Sequence, residues 1–148
     1  MQDKIFIASD HGGYGLKDVL KKELEKSYDV RDLGTDSAET SVDYPDEAVA
    51  LVNALKAEPT ARGILICTSG IGMSIAANRF PFIRGALVFN PEMARLSRGH
   101  NDANVLIFGA KFISEETAKE CVKVFLETPF DGGRHARRVQ KLTCGGNA

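Results

Sequence analysis

Short, almost wholly apolar runs alternate along this chain with longer stretches in which apolar residues recur every three or four positions. The short runs predict strands at Lys4–Ser9, Asp29–Asp32, Gly63–Cys67, Arg84–Phe89 and Val105–Phe108. Three of them are nearly all apolar, the composition of strands buried on both faces. Between them, Leu16, Val19, Leu20 and Leu24 fall on one face of a first helix, and Ala48, Leu51, Val52 and Leu55 on one face of a second. Strands and helices in alternation predict βαβ units. The fold expected is a Rossmann-like three-layer α/β/α sandwich with a parallel five-stranded sheet.

The helix starts carry their own chemistry. Pro45 and Pro91 suit first-turn positions, where a missing N–H costs nothing, and Asn90 suits an N-cap. Ser114, followed by Glu115 and Glu116, caps a helix that carries Cys121. A third helix is expected from near Ser69 through Ala76 and Ala77 to about Arg79, ended by Phe80-Pro81. After Pro129, DGGRHARRVQKL reads as a turn and a short basic helix, and CGGNA as a frayed tail. Residues 1–148 are thus expected to form one domain, with 130–148 as a C-terminal basic helix and tail.

Composition narrows the function classes. With 148 residues, 43% of them hydrophobic, and 19 basic against 20 acidic side chains, the chain reads as one ordinary globular domain with a formal charge of -1. That balance points to neither a nucleic-acid nor a membrane partner. The apolar run Ile5–Ala8 is too short for a signal sequence, so a cytoplasmic protein is expected. Three cysteines, Cys67, Cys121 and Cys144, include no short-spaced pair, which argues against a disulfide framework and against a CxxC metal or redox motif. Cys121 sits at helical spacing with Ala118, Val122 and Phe125 and reads as a small buried apolar side chain. Cys144 lies in the Gly-rich tail and reads as incidental.

Position singles out Cys67. Ligands of a parallel α/β sheet bind outside the carboxyl ends of the strands. That rule selects Asp10, His11, Gly12 and Gly13 after the first strand, Cys67 to Gly72 after the third, Asn90 after the fourth, and Gly109 to Lys111 after the fifth. In GILICTSGIGMSIAANRF a strand runs into Cys67, a glycine-bearing turn follows and a helix starts. Backbone N–H groups of Ser69 to Gly72 can then point into the cleft with the positive helix end behind them, where a thiol is expected to be acidified. Such a pocket suits either a phosphate or a developing oxyanion. It can also be a purely structural turn beside a buried cysteine.

Spacing excludes two chemistries. A cysteine phosphatase needs C-x5-R, but Met73 stands six residues after Cys67. The dinucleotide fingerprint GxGxxG is missing as well, since the loop offers only Gly70 and Gly72. Elsewhere, His100 near a helix end is followed by Asn101 and Asp102, polar groups able to orient an imidazole for proton transfer. The basic cluster Arg134, His135, Arg137 and Arg138 is either a solvated surface run or, through the i, i+4 pair Arg134 and Arg138, a two-guanidinium clamp for a phosphate monoester.

Taken together, IASDHGG, DYP at Asp43 to Pro45, GILICTSGIGMSIAANRF, IRGALV, ARLSRGHNDANVL, FGAK and GGRHARRV resemble the ribose-5-phosphate isomerase B family, which includes the galactose-6-phosphate isomerase subunits. They cover nearly the whole chain in the family's order. The resemblance implies a metal-free, cofactor-free aldose–ketose isomerase working through a cis-enediolate. In it Cys67 is the base between C1 and C2, and Ser69 with the N–H groups of Gly70, Ile71 and Gly72 stabilises the enediolate. His100 assists ring opening. Asp10, His11, Tyr44, Thr68 and Asn101 line the sugar site, and Arg134 and Arg138 hold the phosphate. It also implies a homodimer, extending in some cases to a tetramer, with His100 and Asn101 facing Cys67 of the other subunit. Two positions depart from the common pattern. Thr68 stands where many relatives have glycine, so a positive φ there would be strained. Lys111 replaces an arginine that commonly contributes to phosphate binding, keeping the charge without the bidentate fork. Ribose 5-phosphate and ribulose 5-phosphate are the substrates expected. A six-carbon sugar phosphate such as galactose 6-phosphate or allose 6-phosphate is the alternative, and a non-catalytic sugar-phosphate-binding module is another.

Overall fold

The computed structural model describes residues 3–143, so Cys144 and the expected tail lie outside the described residues. Five strands, β1 (Lys4–Ser9), β2 (Asp29–Asp32), β3 (Arg62–Cys67), β4 (Gly85–Leu87) and β5 (Val105–Gly109), form one sheet in the order β2-β1-β3-β5-β4, all parallel. Among the described residues six α-helices connect and flank them: α1 (Tyr14–Leu24), α2 (Tyr44–Ala57), α3 (Ile71–Ala77), α4 (Pro91–Gly99), α5 (Glu115–Glu127) and α6 (Arg134–Thr143). One face of the sheet packs Ile5, Ile7, Ile64, Ile66, Leu106 and Phe108 against side chains of α1, α4 and α5. The other packs Phe6, Ala8, Leu65, Val105 and Ile107 against α2 and α3. Because β1, β3 and β5 meet a core on both faces, they carry the near-continuous apolar runs read from the sequence.

Helix ends follow the predicted chemistry. Asn90 and Ser114 accept N–H bonds from Met93 and Thr117 across the first turns of α4 and α5. Pro45 lies in the first turn of α2 and Pro91 opens α4. Burial pushes the Cys121 thiol up to about 11, as expected of a cysteine that serves as core.

Several boundaries, and the buried face of one helix, differ from expectation. β4 covers only Gly85–Leu87 of the expected Arg84–Phe89; at its start the Arg84 N–H is taken by Asn104 Oδ1 at 2.8 Å, and the Arg84 side chain donates through Nε to the carbonyl of Asp102 at 2.7 Å. The helix after Cys67 begins at Ile71 instead of Ser69, since Gly70 takes the left-handed conformation at its start. On α1, Val19 is only partly buried, while Lys17 is completely enclosed.

Candidate active site

β1 and β3 run side by side with Ser9 opposite Ile66, so the loops that follow them leave the same carboxyl edge. The N–H of Asp10 donates to the Ile66 carbonyl at 3.2 Å, which sets Asp10 beside the end of β3. Asp10 is buried, and its Oδ1 accepts from the Gly13 N–H at 3.0 Å, capping the 3-10 turn His11–Gly13. His11 Nδ1 accepts from the Val42 N–H at 3.2 Å, which places the ring proton on Nε2.

Cys67 ends β3 with 5% of its surface exposed, and the Gly70 N–H donates to its Sγ at 3.2 Å. Gly70 has φ 79, and a Cβ there would press on Leu87 and on the backbone of Gly109. A Cβ on Gly109 would in turn run into the backbone of Ser69, so the Cys67 loop lies flat on the end of β5. Lys111 N–H, donating to the Thr68 carbonyl at 3.0 Å, ties the same two segments together. Thr68 escapes the strain that a β-branched residue at positive φ would bear. Among the described residues only Asp102 is a non-glycine with positive φ, and the left-handed turn falls on Gly70. The Thr68 hydroxyl instead fills the space beside Gly12, where a Cβ would collide with it.

The loop's donors are partly committed. The Gly70 N–H is directed at the thiol, and the Ile71 N–H donates to Ser69 Oγ at 3.2 Å. An enediolate oxygen therefore reaches these two only by taking over their bonds. Gly72 is covered by the ring of Tyr44, which a Cβ on Gly72 would strike, so Tyr44 closes the loop from the α2 side. One edge of the sheet thus gathers Asp10, His11, Tyr44, Cys67, Thr68, Ser69, Gly70, Ile71, Gly72 and Lys111.

The remaining predicted residues lie elsewhere. His100 caps the carboxyl end of α4 and precedes β5, whereas Cys67 pairs with Gly109 at the far end of that strand. The five residues of β5 put about 13 Å of strand between those two edges. A single chain therefore does not bring His100 to Cys67. Nor does the polar pair after His100 orient its ring. Asp102, at φ 49, accepts from Arg98 Nη1 at 2.8 Å and Arg84 Nη2 at 3.4 Å, and exposed Asn101 lines a cleft with Asn78, Arg84 and Leu142.

What His100 meets is His135. Their ring centroids are 4.2 Å apart and the planes within 12° of parallel. The Asp131 N–H donates to the Gly99 carbonyl at 3.0 Å and so delivers the start of α6 to the end of α4. Arg134 and Arg138 are exposed one turn apart beside this stack, and among the described residues no carboxylate pairs with either. His135 itself is held below the ordinary histidine range, chiefly by burial and then by the charges of His100, Arg134 and Arg138. Sequence reading saw His135 only as part of a basic run. The available signal was Val139 four residues on, which shares its buried face.

His100, Asp131 and His135 bring ligand-type atoms within 4.8 Å of one another. The two rings, however, lie face to face, so their in-plane lone pairs run parallel instead of converging on an ion at about 2.0–2.1 Å. The geometry is that of a stack and not of a chelate.

Residues 5–142 match the model of the family described as Ribose/Galactose Isomerase. Ribose-5-phosphate isomerase B of Escherichia coli is 42% identical over 142 residues, 95% of each chain. The crystal structure of a ribose 5-phosphate isomerase from Thermotoga maritima superposes with a TM-score of 0.92 at 49% identity, covering 97% of this chain and 99% of that one. Ribose-5-phosphate isomerase B of Mycoplasma genitalium, solved with bound ribulose 5-phosphate, gives a TM-score of 0.93 at 38% identity, over 99% and 97% of the two chains.

Proposed function

Because this chain belongs to the ribose/galactose isomerase family, we propose that it interconverts ribose 5-phosphate and ribulose 5-phosphate, with Cys67 as the proton-transferring base. It is a sugar-phosphate isomerase, and the relative solved with ribulose 5-phosphate supports the five-carbon substrate. The observation that carries the assignment of Cys67 is its placement at the carboxyl end of β3, next to Asp10 and under the Gly70 N–H.

In the aldose-to-ketose direction the Cys67 thiolate takes the proton from C2. The C–H electron pair moves into the C1–C2 bond, and charge collects on O1. Ser69 and the amides of Gly70, Ile71 and Gly72 stabilise that oxygen as their bonds within the loop give way to it. The same thiol returns the proton to C1 as a proton passes from O2 to O1. Asp10, His11 with its Nε2–H, Tyr44 and Thr68 line the sugar, and Lys111 adds a positive charge at this edge.

We propose further that the enzyme is a homodimer whose two copies share each site. His100 and Asn101, with the Arg134 and Arg138 clamp, come from the partner subunit, His100 to open the furanose ring and the arginines to hold the phosphate. Two features support this. The stack that anchors these groups stands at the opposite edge of the sheet from the thiol. Around the Cys67 loop, Ile71, Ile75 and Phe112 are each more than half exposed, an apolar surface suited to a second copy. A cytoplasmic enzyme of pentose phosphate interconversion fits this chemistry.

Turnover of the purified chain on ribose 5-phosphate, galactose 6-phosphate and allose 6-phosphate side by side tests the substrate. Ribose 5-phosphate is expected to give the highest kcat/KM. A preference for either six-carbon sugar would overturn the five-carbon reading, and no isomerisation of any of them would overturn the catalytic one.

A further inference from the structure

Lys17 is among the largest fully buried side chains of the described residues, a charged group on the face of α1 that also buries Leu16, Leu20 and Leu24. Its ammonium donates to Asp32 Oδ1 at 2.7 Å and to the carbonyl of Thr35 at 2.5 Å, and lies 5.3 Å from the centre of the Tyr14 ring. Burying a charge costs several kcal/mol unless it is fully partnered, and an apolar side chain of the same length would fill this space without that cost. Packing alone does not call for a lysine here. What the lysine supplies is a donor for a backbone carbonyl in the loop that leaves β2.

That loop leads to the site. Leu33 N–H donates to the Ile7 carbonyl at 2.9 Å, and Gly34 lies so close to Ser9 that a Cβ would come within 2.8 Å of its backbone nitrogen. Asp32 Oδ1, already held by Lys17, also accepts from the Gly34 N–H at 3.1 Å. From Thr35 the chain continues to Val42, whose N–H fixes His11 Nδ1, and then to Tyr44, whose ring covers Gly72. Glu47, one turn into α2, feels the same ammonium: burial pushes its carboxyl up, and the Lys17 charge opposes that rise.

From these contacts we infer that Lys17 is a positioning residue for the substrate site. It clamps the 33–43 loop at Thr35 and, through the loop, sets the tautomer of His11 and the seat of Tyr44. The inference rests on the isomerase reading for its kinetic consequence, while its structural consequence is read without substrate.

The test uses Lys17→Met and the charge-balanced pair Lys17→Met with Asp32→Asn, which leaves no lone buried charge and keeps an acceptor for the Gly34 N–H. Both should lose the hydrogen-bonded Nδ1 signature of His11 in nitrogen NMR, and backbone amides of residues 34–42 should exchange faster while those of β1 and β3 keep their protection. KM for ribose 5-phosphate should rise about five- to tenfold in the pair, with kcat changed far less, as one lost loop bond would produce. Should the single variant fail to fold, the pair carries the test. A folded pair with the His11 signature and KM of the parent overturns the inference, as does exchange that speeds up equally in loop and strands. Failure of the parent enzyme to isomerise the sugar would instead overturn the functional reading, leaving the His11 and exchange results to decide on Lys17.

Discussion

The imidazoles of His100 and His135 lie face to face, 4.2 Å between centroids, and the buried His135 ring is held below the ordinary histidine range. Burial is the largest cause, and the neighbouring cations add to it. A histidine whose folded value is depressed binds a proton more readily in the unfolded chain. Its contribution to stability is therefore complete above the unfolded value of about 6.5 and is lost as pH falls through the folded one. Melting temperature should decline from pH 7 to pH 5, and His135→Gln should flatten that decline; an unchanged slope in the variant would show that other groups govern it.

The proposal of a site shared between subunits makes a sharper prediction. Cys67→Ala and His100→Asn should each be inactive as homodimers. Mixing them in equal amounts after dissociation should restore about a quarter of parent turnover, because half the dimers then carry one intact site of two. If mixtures stay inactive although mass measurements show hybrid dimers, both groups do not come together across the interface.

The thiol can be tested alone. Cys67→Ala removes little volume at a buried strand end, so the fold should survive, as circular dichroism would record. Loss of the base should lower kcat by about 10²–10⁴-fold while ribose 5-phosphate still binds in calorimetry.

Two alanine substitutions should move stability in opposite directions. Gly70→Ala forces a side chain into left-handed backbone and against the Gly109 amide, and should cost about 1–3 kcal/mol in chemical denaturation together with most activity. Gly15→Ala on the exposed face of α1 meets nothing within 4 Å and should stabilise by about 0.5–1 kcal/mol at full activity.

Arg98 braces the turn that follows His100. Its guanidinium is buried between Asp102 Oδ1, the Ala103 carbonyl and the Thr128 carbonyl, at 2.8, 2.7 and 3.2 Å. Arg98→Met should destabilise by about 3 kcal/mol, since it leaves Asp102 without its closest charge partner and two carbonyls without donors. Urea denaturation reads this directly.

The sheet and the Cys67 loop were legible in the sequence because their signals are local. Apolar runs mark β1, β3 and β5, and the rule that ligands gather at strand carboxyl ends selects Asp10 and Cys67 without any distance being known. Other features answer to partners far along the chain. Lys17 falls on the face of α1 that carries Leu20 and Leu24, and only Asp32 and Thr35, distant in sequence, account for a charge there. Asp102 looks like a partner for His100, but two arginines claim its carboxylate. Thr68 would be strained if the turn's positive φ fell on it, but the left-handed residue is Gly70, two positions on.

The strand order also dictates when the site can exist. β4 is made before β5, yet pairs only with it, and β5 must slot between β3 and β4. During synthesis β4 therefore waits unpartnered until the chain beyond Val105 emerges. The Cys67 loop, which rests on the backbone of Gly109, has no floor before that moment. A nascent or truncated chain ending before β5 would present an exposed thiol and an open sheet edge, a species prone to association. The seat of the Cys67 thiol is thus completed only by the last strand inserted.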